Sequence, residues 1–284
     1  MKGFIPVLKI PGPTSHDVVA EVRRALGVKA GHLGTLDPAA AGVLVVALGG
    51  ATRLTPYLIE HDKCYRAVIV LGVATDTADA LGRVTRRQDA SGIGEAAVRA
   101  AVAGLGGERM QVPPAASAVK VDGEALYKAF RRGVERSAAA RRIVVRASRL
   151  VRWHPGARAE ATVDLRVSSG TYVRVLAEDL GGMLGVPAML GALLRVSVGP
   201  FHLAQAVTAE EAGRGEGLLP PGFPFADGPR HDVTPLAADH LRHGRAVAAA
   251  SSPQGLSAAF SNGDLVAIGR RDDDLWRPLT VISD

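Results

Sequence analysis

A chain of 284 residues with 34 Lys and Arg against 28 Asp and Glu carries a formal net charge of +6, and its 47% hydrophobic content fits a globular protein with one large domain and room for a smaller one. The single cysteine, Cys64, excludes an intramolecular disulfide and a Cys-rich zinc site and suits a reducing compartment, so a cytoplasmic protein is expected, and the positive balance suits a polyanionic partner. Residues 1–9 lack the long apolar core of a signal peptide, and Pro, Gly and charges interrupt every apolar stretch before membrane-spanning length, so a soluble chain with no membrane association is expected.

No internal repeat is visible, which argues against a solenoid. In chain order, Ser15 can cap a helix over 17–26, in which Val18, Val19, Val22, Ala25 and Leu26 share a face and Gly27 suits the stop. The Val-rich run 42–48 reads as a buried strand, and 65–71 reads the same way. Helical patterns follow at 95–103 and 124–132, the second ended by Gly133. Strands at 143–153 and 160–168 precede a helix-like stretch over 172–184. This irregular alternation predicts an α+β fold, with a mixed or antiparallel sheet.

From 213 to 229 the composition shifts to Gly and Pro, with Leu-Pro-Pro-Gly-Phe-Pro at 219–224. That segment reads as a linker, dividing the chain into 1–228 and a small β-rich unit, 229–284. Strands at 264–268 and 279–282, with turn signals at Asn262-Gly263 and 272–274, furnish the second unit.

Chemistry concentrates in Gly31-His32-Leu33-Gly34-Thr35-Leu36-Asp37-Pro38, which sets a carboxylate on a loop beside the strand at 42–48. Gly31 and Gly34 permit a tight backbone and close approach by a ligand, and Pro38 stiffens the position after the acid. These residues alone allow two readings of Asp37, the cap of a turn or a functional carboxylate. The eight histidines show no metal-ligand spacing, so no metal is expected.

The same stretch resembles the G-H-x-G-T-L-D-P signature of the bacterial tRNA pseudouridine-55 synthases, the TruB family. Lys9-Ile10-Pro11-Gly12-Pro13-Thr14-Ser15 resembles the family's K-P-x-G-x-T-S element, and Asp62-Lys63-Cys64-Tyr65 its D-K-x-Y element. Thr75-Asp76-Thr77-Ala78-Asp79-Ala80-Leu81-Gly82 is similar to T-D-T-x-D-x-x-G. Gln111-Val112-Pro113-Pro114, followed by Ser117-Ala118-Val119-Lys120 and Gly123, resembles the next block, and Gly170-Thr171-Tyr172-Val173-Arg174 matches G-T-Y-I/V-R. The chain departs from the family pattern at Ile10, Leu33, Ala116 and Leu194, none of which is Asp37, Tyr65 or Arg174.

The resemblance implies the pseudouridine synthase fold, its mixed, largely antiparallel central sheet flanked by helices, with a C-terminal PUA-like RNA-binding module. It implies isomerisation of uridine 55 in the T-loop of tRNA after the nucleotide is flipped out. Breaking the N1–C1′ bond, turning the uracil and joining C5 to C1′ involves no net redox change and no phosphate transfer, so no cofactor is expected. Asp37 is implied as the catalytic carboxylate, acting at the sugar C1′ or on the uracil ring, with Arg174 as its ion-pair partner and Tyr65 against the target uracil. On the RNA side the resemblance sets His32, which helps hold the RNA loop, together with Gly31 and Lys9, Lys9 supporting the active-site loop. Arg131 and Arg132 belong to a basic run from Lys128 to Arg152 whose position matches a family segment that closes over RNA.

Taken singly, these side chains also have plainer readings: a core tyrosine, a hydrogen-bonded histidine, solvated lysine and arginines. The expected partner is tRNA through its T-arm, bound by a monomer with no obligate protein partner. A non-catalytic tRNA binder would not require Asp37, Tyr65 and Arg174 together. A hydrolase pairing Asp37 with Asp76 or Asp79 needs its carboxylates to meet across a sugar. A third reading keeps the chemistry but directs it to another RNA.

Overall fold

The computed structural model describes residues 1–249 and 252–282. Nine strands form the main sheet: β1 (Gly3–Lys9), β2 (Ala30–His32), β3 (Ala41–Leu48), β4 (Lys63–Leu71), β5 (Gly107–Gln111), β6 (Arg141–His154), β7 (Glu160–Val167), β8 (Ala188–Val198) and β9 (Phe201–His202). Their order is β1-β3-β8-β4-β7-β6-β5, with β2 alongside β3 and β9 alongside β8. All of these pairings are antiparallel except β3 with β8, where Ala41 and Gly42 run parallel to Leu194 and Arg195. The sheet is thus mixed and largely antiparallel, as the sequence predicts.

β3 is apolar along its whole length because both of its faces are covered. Leu44 and Val46 share a core with Ile5, Val7, Val18 and Val22, while Val43 and Val45 face a second core with Phe4 and Leu54. Val18 and Val22 belong to α1 (Ser15–Leu26), whose N-cap is Thr14 and not Ser15. Thr14 and Asp17 form a reciprocal capping box, which frees the Ser15 hydroxyl for another task. α2 is Glu95–Gly104. α3 (Leu126–Arg131) starts two residues later than its pattern predicts, because Glu124 and Ala125 pair with Val121 and Lys120 in a small hairpin. α4 (Val173–Met183) lays Leu176, Ala177 and Leu180 into the core that contains Ala67 and Ile69 of β4.

Of the strands that have no counterpart in the sequence reading, β1 and β8 are the longest in the main sheet. β1 carries Pro6, and β8 is broken by a register shift between Leu190 and Ala192, so neither shows a clean period of two. The segment read as a linker is packed into the core instead. Leu219 exchanges backbone hydrogen bonds of 2.9 and 2.8 Å with Phe4, and the Phe223 ring lies 5.4 Å from that of Phe201.

The C-terminal strands β10 (Arg230–Asp232), β11 (Val247–Ala248), β12 (Leu256–Ser261), β13 (Asp264–Asp272) and β14 (Leu275–Val281) make a second sheet in the order β10-β12-β13-β14-β11. β13 and β14 extend beyond the predicted spans up to a turn in which Asp273 has φ 53°. This curled sheet is consistent with a PUA-like module. One face, with Ala259, Val266 and Trp276, is closed by α5 (Pro235–Arg242). The other face buries Phe260, Leu265 and Ile268 in one core with Phe4, Leu54 and Phe201, so the second sheet is packed on the first. Among the described residues, no helix is long and apolar enough to cross a membrane.

His231 of β10 is 3% exposed, its ring 5.6 Å from that of Trp276 at a tilt of 36°, and among the described residues neither ring nitrogen has a well-directed hydrogen-bond partner. Burial holds it below the ordinary imidazole range, a shift only partly opposed by the nearby Ala248 backbone and by Asp232. Below the ordinary value near 6.5 the unfolded chain binds a proton that folded His231 still refuses, so stability falls as pH drops through that window. Thermal unfolding at pH 7.5 and 5.5 should show a larger acid loss for the wild type than for His231→Phe; equal losses would assign the acid sensitivity to other groups.

Candidate active site

The loop between β2 and β3 is gripped through its backbone on both sides of Asp37. The Ser15 hydroxyl donates to the Leu36 carbonyl at 3.0 Å and accepts from the Leu36 N–H at 2.8 Å. Lys9, fully buried at the end of β1, donates to the carbonyls of Ile10, Pro38 and Ala40 at 3.0, 3.2 and 2.7 Å. The Gly12 N–H reaches the Pro38 carbonyl at 2.9 Å, and the Ala40 N–H reaches that of Asp37 at 3.0 Å. Lys9 therefore braces the loop from within. Burial holds its ammonium below the ordinary lysine range, with Asp37 opposing that shift and Arg195 adding to it.

Arg174 enters from the first turn of α4. No side chain caps this helix; instead Gln111 of β5 pins Tyr172, donating to its carbonyl at 3.1 Å and accepting from its N–H at 2.7 Å. The Arg174 side chain is 3% exposed, with Nε 3.0 Å from Asp37 Oδ2 and Nη2 3.3 Å from Oδ1. Its Nη1 and Nη2 also donate to the carbonyls of Thr77 and Ala116, each at 3.0 Å. The Nε–H points away from the line to Oδ2, so the close contact is an ion pair and that nitrogen has no directed hydrogen bond. A permanently charged guanidinium stabilises an anion held against it.

Asp79 meets the same group, its Oδ2 lying 3.7 Å from Arg174 Nε. Its other oxygen accepts from the Thr77 hydroxyl at 2.7 Å and the Leu81 N–H at 3.0 Å, which fixes the 77–81 turn beside β8. The two carboxylates converge on one guanidinium, which is not the two-sided arrangement of a glycoside hydrolase. A narrow pocket lined by Asp37, Ala40, Asp79, Leu190 and Leu193 opens alongside.

Tyr65 is 9% exposed and sits in one packed cluster with Leu36, Ala40, Val173 and Leu176, the neighbours of Asp37 and Arg174 in the chain. Asp37, Arg174 and Lys9 are thereby brought together, and Tyr65 shares the apolar core packed behind their elements. His32 lies on β2, two residues before Gly34, whose N–H donates to its Nδ1 at 3.3 Å. Burial, then the charges of Arg195 and His16, hold this imidazole below its ordinary range, so it is neutral at pH 7 with its proton on Nε2. Beside Gly31 there is open space where a side chain would begin.

Arg131 ends α3 and Arg132 caps it; both are exposed, and the hydrogen bonds that hold the Asp37 loop come from other residues. Arg131 stacks over Tyr127 at 5.3 Å, and Arg132 forks onto Glu124 at 2.6 and 2.8 Å. Much of the basic run is likewise paired with acids, Arg142 with Glu108, Arg146 with Asp62 at 2.7 Å and Arg149 with Asp164 at 3.1 Å. Such surface pairs hold weakly and can exchange a carboxylate for a phosphate.

Ser15, Gln111 and Arg195 belong to the site, although sequence reasoning gives them no such role. Ser15 reads as a cap, and Gln111 only opens a Pro-Pro block. Arg195 is a lone charge in an apolar stretch, a signal in itself.

Residues 23–173 match the family model described as the TruB family pseudouridylate synthase N-terminal domain, and with this fold that makes the protein a pseudouridine synthase. A tRNA pseudouridine synthase B of Symbiobacterium thermophilum is 51% identical over 87% of this chain and 83% of its own. One from an Arthrobacter species is 42% identical over 100% of this chain and 97% of its own. Among solved structures, the archaeal box H/ACA Nop10–Cbf5 complex superposes with a TM-score of 0.74 at 25% identity, covering 99% of this chain and 86% of that one. The chain belongs to the TruB family.

Proposed function

We propose that this protein isomerises uridine 55 in the T-loop of tRNA to pseudouridine, with Asp37 as the essential carboxylate. The observation that carries the reading is the Asp37–Arg174 pair, held beside a narrow pocket by a loop whose backbone is fixed on both sides. Relatives that the chain matches over most of their length and that bear the name tRNA pseudouridine synthase B support the choice of RNA. An ionised oxygen held beside a guanidinium can trap the electron-poor C1′ as the N1–C1′ bond breaks, or add to the uracil ring. In either route the C5 proton leaves as C5 joins C1′, and N1 regains a proton. Tyr65 stacks on the everted base or moves the proton, and His32 Nε2 donates to the RNA loop. Arg131 and Arg132 contribute phosphate contacts outside the pocket. The division of labour follows the two sheets, residues 1–228 carrying the chemistry and 229–284 a PUA-like RNA contact.

The reading is tested by tritium release from C5-labelled tRNA, with the modified position mapped by sequencing. Modification of a single T-loop uridine is expected. Modification scattered over tRNA, or confined to ribosomal RNA, would overturn the choice of substrate.

A further inference from the structure

Arg195 stands on β8 behind the Asp37 loop, 1% exposed. Its Nε donates to the Val43 carbonyl at 2.8 Å, Nη1 to that of Thr35 at 3.2 Å and Nη2 to that of Gly34 at 3.0 Å. The Gly34 and Thr35 carbonyls belong to the loop that carries Asp37, and Val43 lies in β3, the strand into which that loop leads. Among the described residues the hydrogen bonds of Arg195 all go to neutral carbonyls, and no carboxylate pairs with it.

A buried guanidinium without a counter-ion weakens a fold relative to an apolar side chain of the same size. Stability alone therefore gives no reason for an arginine here. What it supplies is a rigid planar fork whose three nitrogens hold three acceptors in fixed directions, a geometry that the compact point charge of a lysine ammonium does not reproduce. The fork is itself well anchored, because β8 pairs in parallel with β3 at Leu194–Ala41 and Arg195–Gly42. Its charge also bears on Lys9, His32 and Lys63, each of which it helps to hold below its ordinary range, so it sits at the electrostatic centre of the loop's support.

We infer that Arg195 is a positioning residue for uridine isomerisation: by fixing the Gly34 and Thr35 carbonyls it sets where the Asp37 carboxylate stands relative to Arg174. The inference rests on the reading of Asp37 as the essential carboxylate. Two arginines then hold one loop, Arg195 by its backbone and Arg174 by its acidic side chain.

The test compares wild type, Arg195→Lys, Arg195→Met and Asp37→Asn in single-turnover tritium release from C5-labelled tRNA, at saturating enzyme and below each protein's unfolding transition. Binding of the same tRNA is measured in parallel. Misplacing the carboxylate by about 1 Å should slow release by Arg195→Lys about 100-fold. The tRNA Kd should stay within about twofold, because no RNA-facing group has changed. A merely structural role would lower the melting temperature and leave the rate constant of the folded fraction at the wild-type value. Should Arg195→Met fail to fold, Arg195→Lys decides. A folded Arg195→Lys with wild-type rate would overturn the inference, whereas an active Asp37→Asn would overturn the functional reading on which it stands.

Discussion

An Arg174→Met variant should release C5 tritium from tRNA at a rate lower by about 1,000-fold, the effect of deleting a preorganised charge from a reacting centre. The substitution also leaves Asp37 and Asp79 facing each other with no cation between them, and it strips a donor from the carbonyls of Thr77 and Ala116. Removing one partner of a buried pair costs about 3 kcal/mol or more, a figure reduced here because the Asp37 side chain keeps 35% of its surface in solvent. Arg174→Lys should recover stability better than rate, since one ammonium cannot reach Asp37, Thr77 and Ala116 together. Denaturant unfolding and single-turnover release, measured on the same samples, separate the two effects. A wild-type rate in either variant would mean that the guanidinium does not support the chemistry.

Gly42→Ala, at the start of β3 just beyond the Asp37 loop, should be strongly destabilising for a change of one methyl group. Gly42 has φ 115°, and an added Cβ would stand 2.2 Å from the Arg195 carbonyl oxygen and 2.6 Å from its N. Both obstacles are backbone, so neither can swing aside as a side chain would. Strained backbone together with overpacking predicts a loss of about 3 kcal/mol, readable as a lowered urea midpoint with an unchanged slope. Because the same contact seats the loop against β8, the activity of the folded fraction should fall as well. An unaltered midpoint would show that β3 and β8 can separate there at little cost.

The elements legible in the sequence are those whose physics is local. The helix at 17–26 and the strand at 42–48 declare themselves through a clean period or a Val-rich run, and both are present in α1 and β3. β1 and β8 escape because Pro6 and the bulge at Gly191 break the pattern, while partners far along the chain decide their pairing. The segment at 213–229 looks like a linker by composition alone. Phe4 and Phe201, more than a dozen residues distant in sequence, turn it into part of the core.

The site divides in the same way. Asp37, Tyr65 and Arg174 are legible because the ordered motifs resemble those of a family, whereas the residues alone would allow a capped turn, a core tyrosine and a surface arginine. Ser15 and Lys9 act on the backbone of Leu36, Pro38 and Ala40, contacts that exist only once β1 and α1 lie beside the loop. Arg195 is harder still to read, because its partners are carbonyls, which carry no residue identity.

The most direct test of the central claim is single-turnover release of tritium from C5 of tRNA uridine by the wild type and by Asp37→Asn, an amide of nearly the same shape but without the charge. The account predicts release by the wild type, background counts for the variant, and tRNA binding by both. Release at the wild-type rate from Asp37→Asn would contradict it.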